Sequence, residues 1–95
     1  MKIVPTPKFK NELRHIVNFI KLDSSFYAKE FLNDINSICK NLSFMPYKNR
    51  KPLSFDNENI RDLIFKGYII PYLIDKSKNE IVILGIYKSN LSAEK

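Results

Sequence analysis

The sequence predicts an α+β domain: an N-terminal helical hairpin packed on a twisted antiparallel β-sheet, in the order β-α-α-β-β-β. Three observations predict it. Two apolar stripes at helical spacing occupy the first half of the chain. Only a few polar residues separate them. The second half is rich in β-branched and aromatic residues and breaks twice at turn-forming positions.

Met1–Thr6 reads as a short opening strand, with Ile3 alternating against polar neighbours and Pro5 confining it to an edge or a strand end. Pro7 suits the first turn of a helix, where its missing N–H costs nothing. Phe9, Leu13, Ile16, Val17 and Ile20 then recur at spacings of three and four, one stripe of an amphipathic helix. Asp23-Ser24-Ser25 interrupts the pattern with three good capping residues. A second stripe follows: Ala28, Phe31, Leu32, Ile35, Ile38, Cys39 and Leu42. So short a link predicts an antiparallel pair. Pro46 ends the second helix, because it disfavours helical geometry at Met45. Tyr47–Asn59 reads as a long connecting loop, basic at its start and acidic at its end.

Ile60–Phe65, Tyr68–Asp75 and Glu80–Lys88 read as a three-stranded meander, turning at Lys66-Gly67 and within Asp75–Asn79. A period of two divides its faces. Tyr68, Ile70, Tyr72 and Ile74 oppose Ile69, Pro71 and Leu73. Ile81, Ile83, Gly85 and Tyr87 oppose Val82, Leu84, Ile86 and Lys88. Both faces are apolar, and a two-helix hairpin covers only one. The other is expected to meet a partner. Pro71 cannot donate to a ladder and should face an edge or a bulge. Ser89–Lys95 reads as a polar, flexible tail on a single domain spanning residues 1–95.

Ninety-five residues with 44% hydrophobic content are enough for one core. No apolar run approaches the roughly 18 to 20 residues that span a bilayer. A single cysteine, Cys39, forms no internal disulfide, and a cytoplasmic location is expected. Sixteen Lys and Arg against ten Asp and Glu leave a net charge of +6, which favours an anionic partner. One His and one Cys, His15 and Cys39, form no metal-ligand spacing. Two glycines make no phosphate-binding loop. No metal or cofactor is expected. The remaining chemistry is cationic and phenolic. Arg50, Lys51, Arg61, Lys66 and Lys88 are candidates to bind a target or nucleic acid. Tyr68, Tyr72 and Tyr87 stand beside them. Such groups bind phosphates, and a tyrosine or lysine moves a proton where its pKa is lowered.

The order of elements, the Asp-Ser-Ser break, Ala28–Ile35, Leu42-Ser43-Phe44-Met45-Pro46, Ile60-Arg61-Asp62-Leu63, Gly67–Tyr72 and Ile81–Ile86 together carry a resemblance. The chain resembles toxins of the RelE/ParE superfamily of bacterial type II toxin–antitoxin systems. The resemblance implies an acidic antitoxin that wraps the toxin, and the sheet residues assigned to it are Tyr68, Ile70, Tyr72, Ile83 and Tyr87. A homodimer and a toxin–antitoxin hetero-oligomer both stay open. RelE-like members cleave messenger RNA on the ribosome, whereas ParE-like members inhibit DNA gyrase. RNA-cleaving members commonly carry arginine directly after the Gly-Tyr of the middle strand, where this chain has Ile69. They also tend to carry a basic cluster after the last strand, where this chain has Tyr87-Lys88-Ser89-Asn90-Leu91. The resemblance therefore implies a ParE-like toxin that acts by binding gyrase. The alternatives are a ribosome-dependent ribonuclease using Arg61, Lys66, Tyr87 and Lys88, and a degenerate member without toxicity.

Overall fold

Thr6 and Ser24 set the helical half of the molecule. The Thr6 hydroxyl accepts the Phe9 N–H at 3.1 Å and donates to the Ile83 carbonyl at 2.8 Å. It thus caps a helix and ties it to the sheet with one side chain. Ser24 ends the first helix by donating its N–H to Ile20 at 3.0 Å. Its hydroxyl opens the second by accepting from Tyr27 N–H at 3.1 Å. In the computed structural model, which describes residues 1–52 and 57–89, these caps bound α1 (Pro7–Asp23) and α2 (Ser25–Lys40). A single 3-10 turn, Asn41–Ser43, extends α2. The stripes read from the sequence supply the core: Phe9 and Leu13 from α1, then Ala28, Phe31, Ile35 and Cys39 from α2, are buried.

The strands are β1 (Lys2–Pro5), β2 (Ile60–Phe65), β3 (Tyr68–Asp75), β4 (Glu80–Ile83) and β5 (Tyr87–Lys88). The sheet runs β1-β4-β3-β2, and β5 pairs with β3 beyond the end of β4. Lys66 and Gly67 both have positive φ, 47° and 82°, as the two-residue hairpin turn between β2 and β3 requires. In the next turn the Asp75 carboxylate accepts from the Ser77 hydroxyl at 2.7 Å and Lys78 N–H at 3.2 Å.

The α+β class and element order are as expected, with two differences. The sheet is mixed, not wholly antiparallel: β1 runs parallel to β4, with Ile3 opposite Ile81 and Val4 opposite Val82. Short turns dictate antiparallel pairing within the meander. β1 reaches its neighbour only through the whole hairpin and two strands, a connection that leaves its direction free. The last strand is also broken. Tyr72 pairs with Ile83, and Ile69 with Tyr87. β3 advances three residues over that stretch while its partner advances four, which is a β-bulge at Leu84-Gly85-Ile86. Pro71 lies at the bulge, where its carbonyl accepts the Leu84 N–H at 2.9 Å.

The bulge reverses the alternation read from the sequence. Ile86 turns inward and is buried, whereas Tyr87 is 47% exposed. The helices cover the face carrying Ile70, Tyr72, Ile74, Ile81 and Ile83, which join Phe9, Leu13, Phe31 and Ile35 in one cluster. The opposite, outer face carries Asp62, Ile64, Ile69, Leu73, Val82 and Tyr87. Within the long loop, residues 53–56 lie outside the described residues, as does the tail beyond Ser89.

Candidate functional site

Two arrangements deserve a chemical reading: a groove between α1 and β5, and the cations around the sheet's far end. The groove follows from the bulge. Gly85 lets α1 approach so closely that a Cβ there would lie 2.7 Å from Glu12 Oε1. That oxygen accepts the Ile86 N–H at 3.0 Å. Lys8 holds the other carboxylate oxygen at 2.9 Å. Burial acts to raise the Glu12 pKa, but the Lys8 ammonium and the Ile86 amide outweigh it and hold it below the usual range. Glu12 thereby fixes where Tyr87 and Lys88 leave the bulge.

The resulting groove, of about 350 Å³, is lined by Glu12, His15, Ile16 and Phe19 from α1 and by Tyr68, Ile86, Tyr87 and Lys88 from the sheet. The Lys88 ammonium lies 5.0 Å from the centre of the Tyr68 ring, and Phe31 meets that ring edge-on at 5.4 Å. Phe19 and Leu22 are 71% and 82% exposed, and the first turn of α2 adds the exposed pair Phe26 and Tyr27. Sequence reasoning missed all four. A signal was present, because 15, 19 and 22 form a second stripe beside the core stripe of α1. An apolar floor with a cation at its rim suits the apolar face of a protein segment bearing carboxylates.

The outer face differs. Asp62 is buried there beside Arg50, whose guanidinium is 3.9 Å from one carboxylate oxygen. The other oxygen, Oδ1, has no hydrogen-bond partner among the described residues. Burial raises the Asp62 pKa, and Arg50 only partly opposes the rise. The Asp62 N–H donates to the Arg50 carbonyl at 2.9 Å, drawing residue 50 onto the edge of β2.

The predicted site residues separate into distinct groups. Ile70, Tyr72 and Ile83 are fully buried under the helices, so they form core and not the antitoxin-facing surface expected of them. Both faces of β3 are apolar, and parity alone did not say which one the hairpin would take. The Tyr72 hydroxyl points into the fold, donating to the Pro46 carbonyl at 2.5 Å and accepting from Asn49 at 3.1 Å. Tyr68 and Tyr87 alone of the five reach the groove.

Among the cations, Arg61 is also a structural residue, its side chain only 13% exposed. It donates to the carbonyls of Glu58 at 3.3 Å and Asn49 at 3.4 Å, and it lies 5.2 Å from the Tyr47 ring centre. Lys51 pairs with Glu58, and Lys66 with Asp34 at 3.9 Å. The four residues named for a ribonuclease do not all converge: Tyr87 and Lys88 share the groove, but Arg61 is held elsewhere. Arg61 pairs with Tyr72 on the helix-covered face, whereas Tyr87 pairs with Ile69 on the outer face. Burial and the nearby Asp62 charge push the Tyr87 phenol up, away from proton transfer near neutral pH. Burial likewise pushes the Cys39 thiol up to about 11, leaving it an inert core residue. Among the described residues no cluster of His, Cys, Asp and Glu could hold a metal, and no helix is long and apolar enough to cross a membrane.

The family model of the ParE toxin of the type II toxin–antitoxin system parDE matches residues 3–90. The chain belongs to the ParE toxin family. As a ParE-family chain it is the toxin component of a type II system, and its partner is an antitoxin. The fold agrees with a solved structure described as the chromosomal ParDE toxin–antitoxin system from P. aeruginosa. That likeness has a TM-score of 0.75 at 21% identity and covers 94% of this chain and 96% of the other. No curated protein matches this ParE-family chain.

Proposed function

We propose that this ParE-family toxin acts by binding a protein, with DNA gyrase as its target, and not by cutting RNA. An acidic antitoxin neutralises it by seating an apolar segment in the α1–β5 groove, with carboxylates towards Lys88, and by covering the outer face around Tyr87 and Ile64. Arg50, Lys51, Lys66 and Lys88 supply long-range attraction for such partners. The site of action is cytoplasmic, no cofactor takes part, and the neutral form is a toxin–antitoxin hetero-oligomer.

One observation carries the reading: Arg61 and Tyr87 lie on opposite faces of the sheet. A ribonuclease must bring its cations and proton carriers around one phosphate. A binding toxin has no such requirement, and an exposed apolar groove is what it does require. The purified chain is expected to block supercoiling by gyrase and to leave messenger RNA intact on translating ribosomes. Codon-register cuts beside unaffected supercoiling would overturn the reading. Phe19→Glu in the groove is expected to weaken antitoxin binding about tenfold or more, the scale of one lost apolar anchor.

A further inference from the structure

A second recess lies where the helical hairpin runs out. The last turn of α2 contributes Ile38, the 3-10 turn contributes Leu42, β2 contributes Leu63, and the segment after the 3-10 turn contributes Met45, Lys48 and Asn49. Together with Asn41 they enclose a slot of about 180 Å³. Its floor is aliphatic. At its lip Phe44 and Met45 are strongly exposed, at 79% and 62%. Singly such residues are ordinary; beside a preformed slot they extend its apolar surface into solvent. The segment behind them is anchored, because the Tyr72 hydroxyl holds Pro46 and Asn49.

The charge around the slot has one sign. Between Ile35 and Phe55 the chain carries Lys40, Lys48, Arg50 and Lys51 and no carboxylate. Arg50 and Lys51 are engaged by Asp62 and Glu58. Asp34, one turn before Ile38, is engaged by Lys66. Lys40 and Lys48 are exposed, Lys48 in the lining of the slot and Lys40 directly before its Asn41.

We propose that this slot is a second protein-recognition site, independent of the α1–β5 groove and of the toxin reading. It takes an acidic peptide segment that inserts one leucine- or phenylalanine-sized side chain. The side chain lies on Ile38, Leu42 and Leu63, flexible Met45 adapts to it, and flanking carboxylates meet Lys40 and Lys48. The observations favour a peptide over a nucleic acid, because Ile38, Leu42, Met45 and Leu63 line the slot and give an inserted base no ring to stack on, the exposed Phe44 ring lying outside that lining. They also oppose a second copy of the chain. A two-fold contact would set Lys40 and Lys48 against their own copies.

The test is fluorescence anisotropy of the full chain with short labelled peptides, each holding one Leu or Phe between glutamates. Peptides with alanine at the anchor, or lysine flanks, serve as controls. Saturable binding by the Leu or Phe peptide is expected, about tenfold weaker with either control or with Met45→Glu or Lys48→Glu. Both substitutions are at exposed sites, and circular dichroism checks that the variants stay folded. Phe19→Glu, in the other groove, is expected to change nothing. The proposal is overturned if neither peptide binds or if binding is lost with Phe19→Glu but kept with Met45→Glu. Displacement of the peptide by a short single-stranded RNA that needs the same slot residues also overturns it. So does self-association of the free chain that Met45→Glu abolishes.

Discussion

The two faces of the sheet are built from similar residues and do different work. The helix-covered face buries Ile70, Tyr72, Ile74, Ile81 and Ile83 almost completely and satisfies the Tyr72 hydroxyl twice. The outer face presents Ile64 and Tyr87 to solvent and buries a carboxylate oxygen that has no partner among the described residues. Hydrophobic composition therefore does not distinguish the covered face from the open one in this molecule. What distinguishes them is which face the hairpin reached, and whether buried polar groups find partners among the described residues.

The comparison predicts unequal responses to substitution. The largest belongs to the covered face. Ile83→Ala leaves a cavity where nothing can collapse, and a loss of about 3 kcal/mol is expected in denaturant titration. A loss below about 1 kcal/mol would mean that the covered face repacks as freely as the outer one. Next comes the bulge that joins the faces. Gly85→Ala drives the Glu12 carboxylate away from Ile86 N–H, at an expected cost of about 1.5 kcal/mol, the scale of a charged hydrogen bond. Because the folded state lowers the Glu12 pKa, that bond stabilises above the ordinary carboxylate range. It is lost as pH falls through the lowered value. Gly85→Ala should flatten this acid-side loss.

Asp62 gives the opposite sign. Its pKa is raised in the fold, so the fold prefers the protonated form. Its contribution is favourable at low pH and declines as pH rises from the ordinary aspartate range through the raised value. Asp62→Asn is expected to stabilise the chain at neutral pH by about 1 kcal/mol and to remove that slope. Destabilisation at neutral pH would show instead that the Arg50 contact outweighs the buried charge. Smallest is the exposed outer face, where Ile64→Ser should alter stability by less than about 0.5 kcal/mol. The same change should weaken antitoxin binding measurably by calorimetry. If both quantities stay unchanged, Ile64 is no part of the docking face.

Several elements were legible because their signals are local. The two stripes, the serine between the helices, Pro7 at a helix start and the Lys66-Gly67 turn each report on a few neighbouring residues, and each stands where it was read. The candidate site was less legible. Arg61 looked like a free cation because its hydrogen bonds go to backbone carbonyls of Asn49 and Glu58, which no residue pattern announces, in addition to its ion pair with the Glu58 carboxylate at 3.7 Å. Tyr72 looked like a surface phenol because Pro46 and Asn49 reach it only through the fold. Phe19, Leu22, Phe26 and Tyr27 were passed over because apolar residues beside a core stripe resemble its edge until the packing shows them exposed.

Alone, the sequence determined the class, the two helices and their hairpin, and the antiparallel meander. Periodicity, caps and short turns act over a few residues and need nothing beyond them. The tertiary structure decided the parallel course of β1, the bulge at Leu84-Gly85-Ile86, and the face the helices cover. Each of those depends on contacts between distant segments. Ile3 must meet Ile81, Glu12 must meet Ile86, and an apolar strand must choose a side. With apolar residues on both faces, only the competition for burial settles that choice.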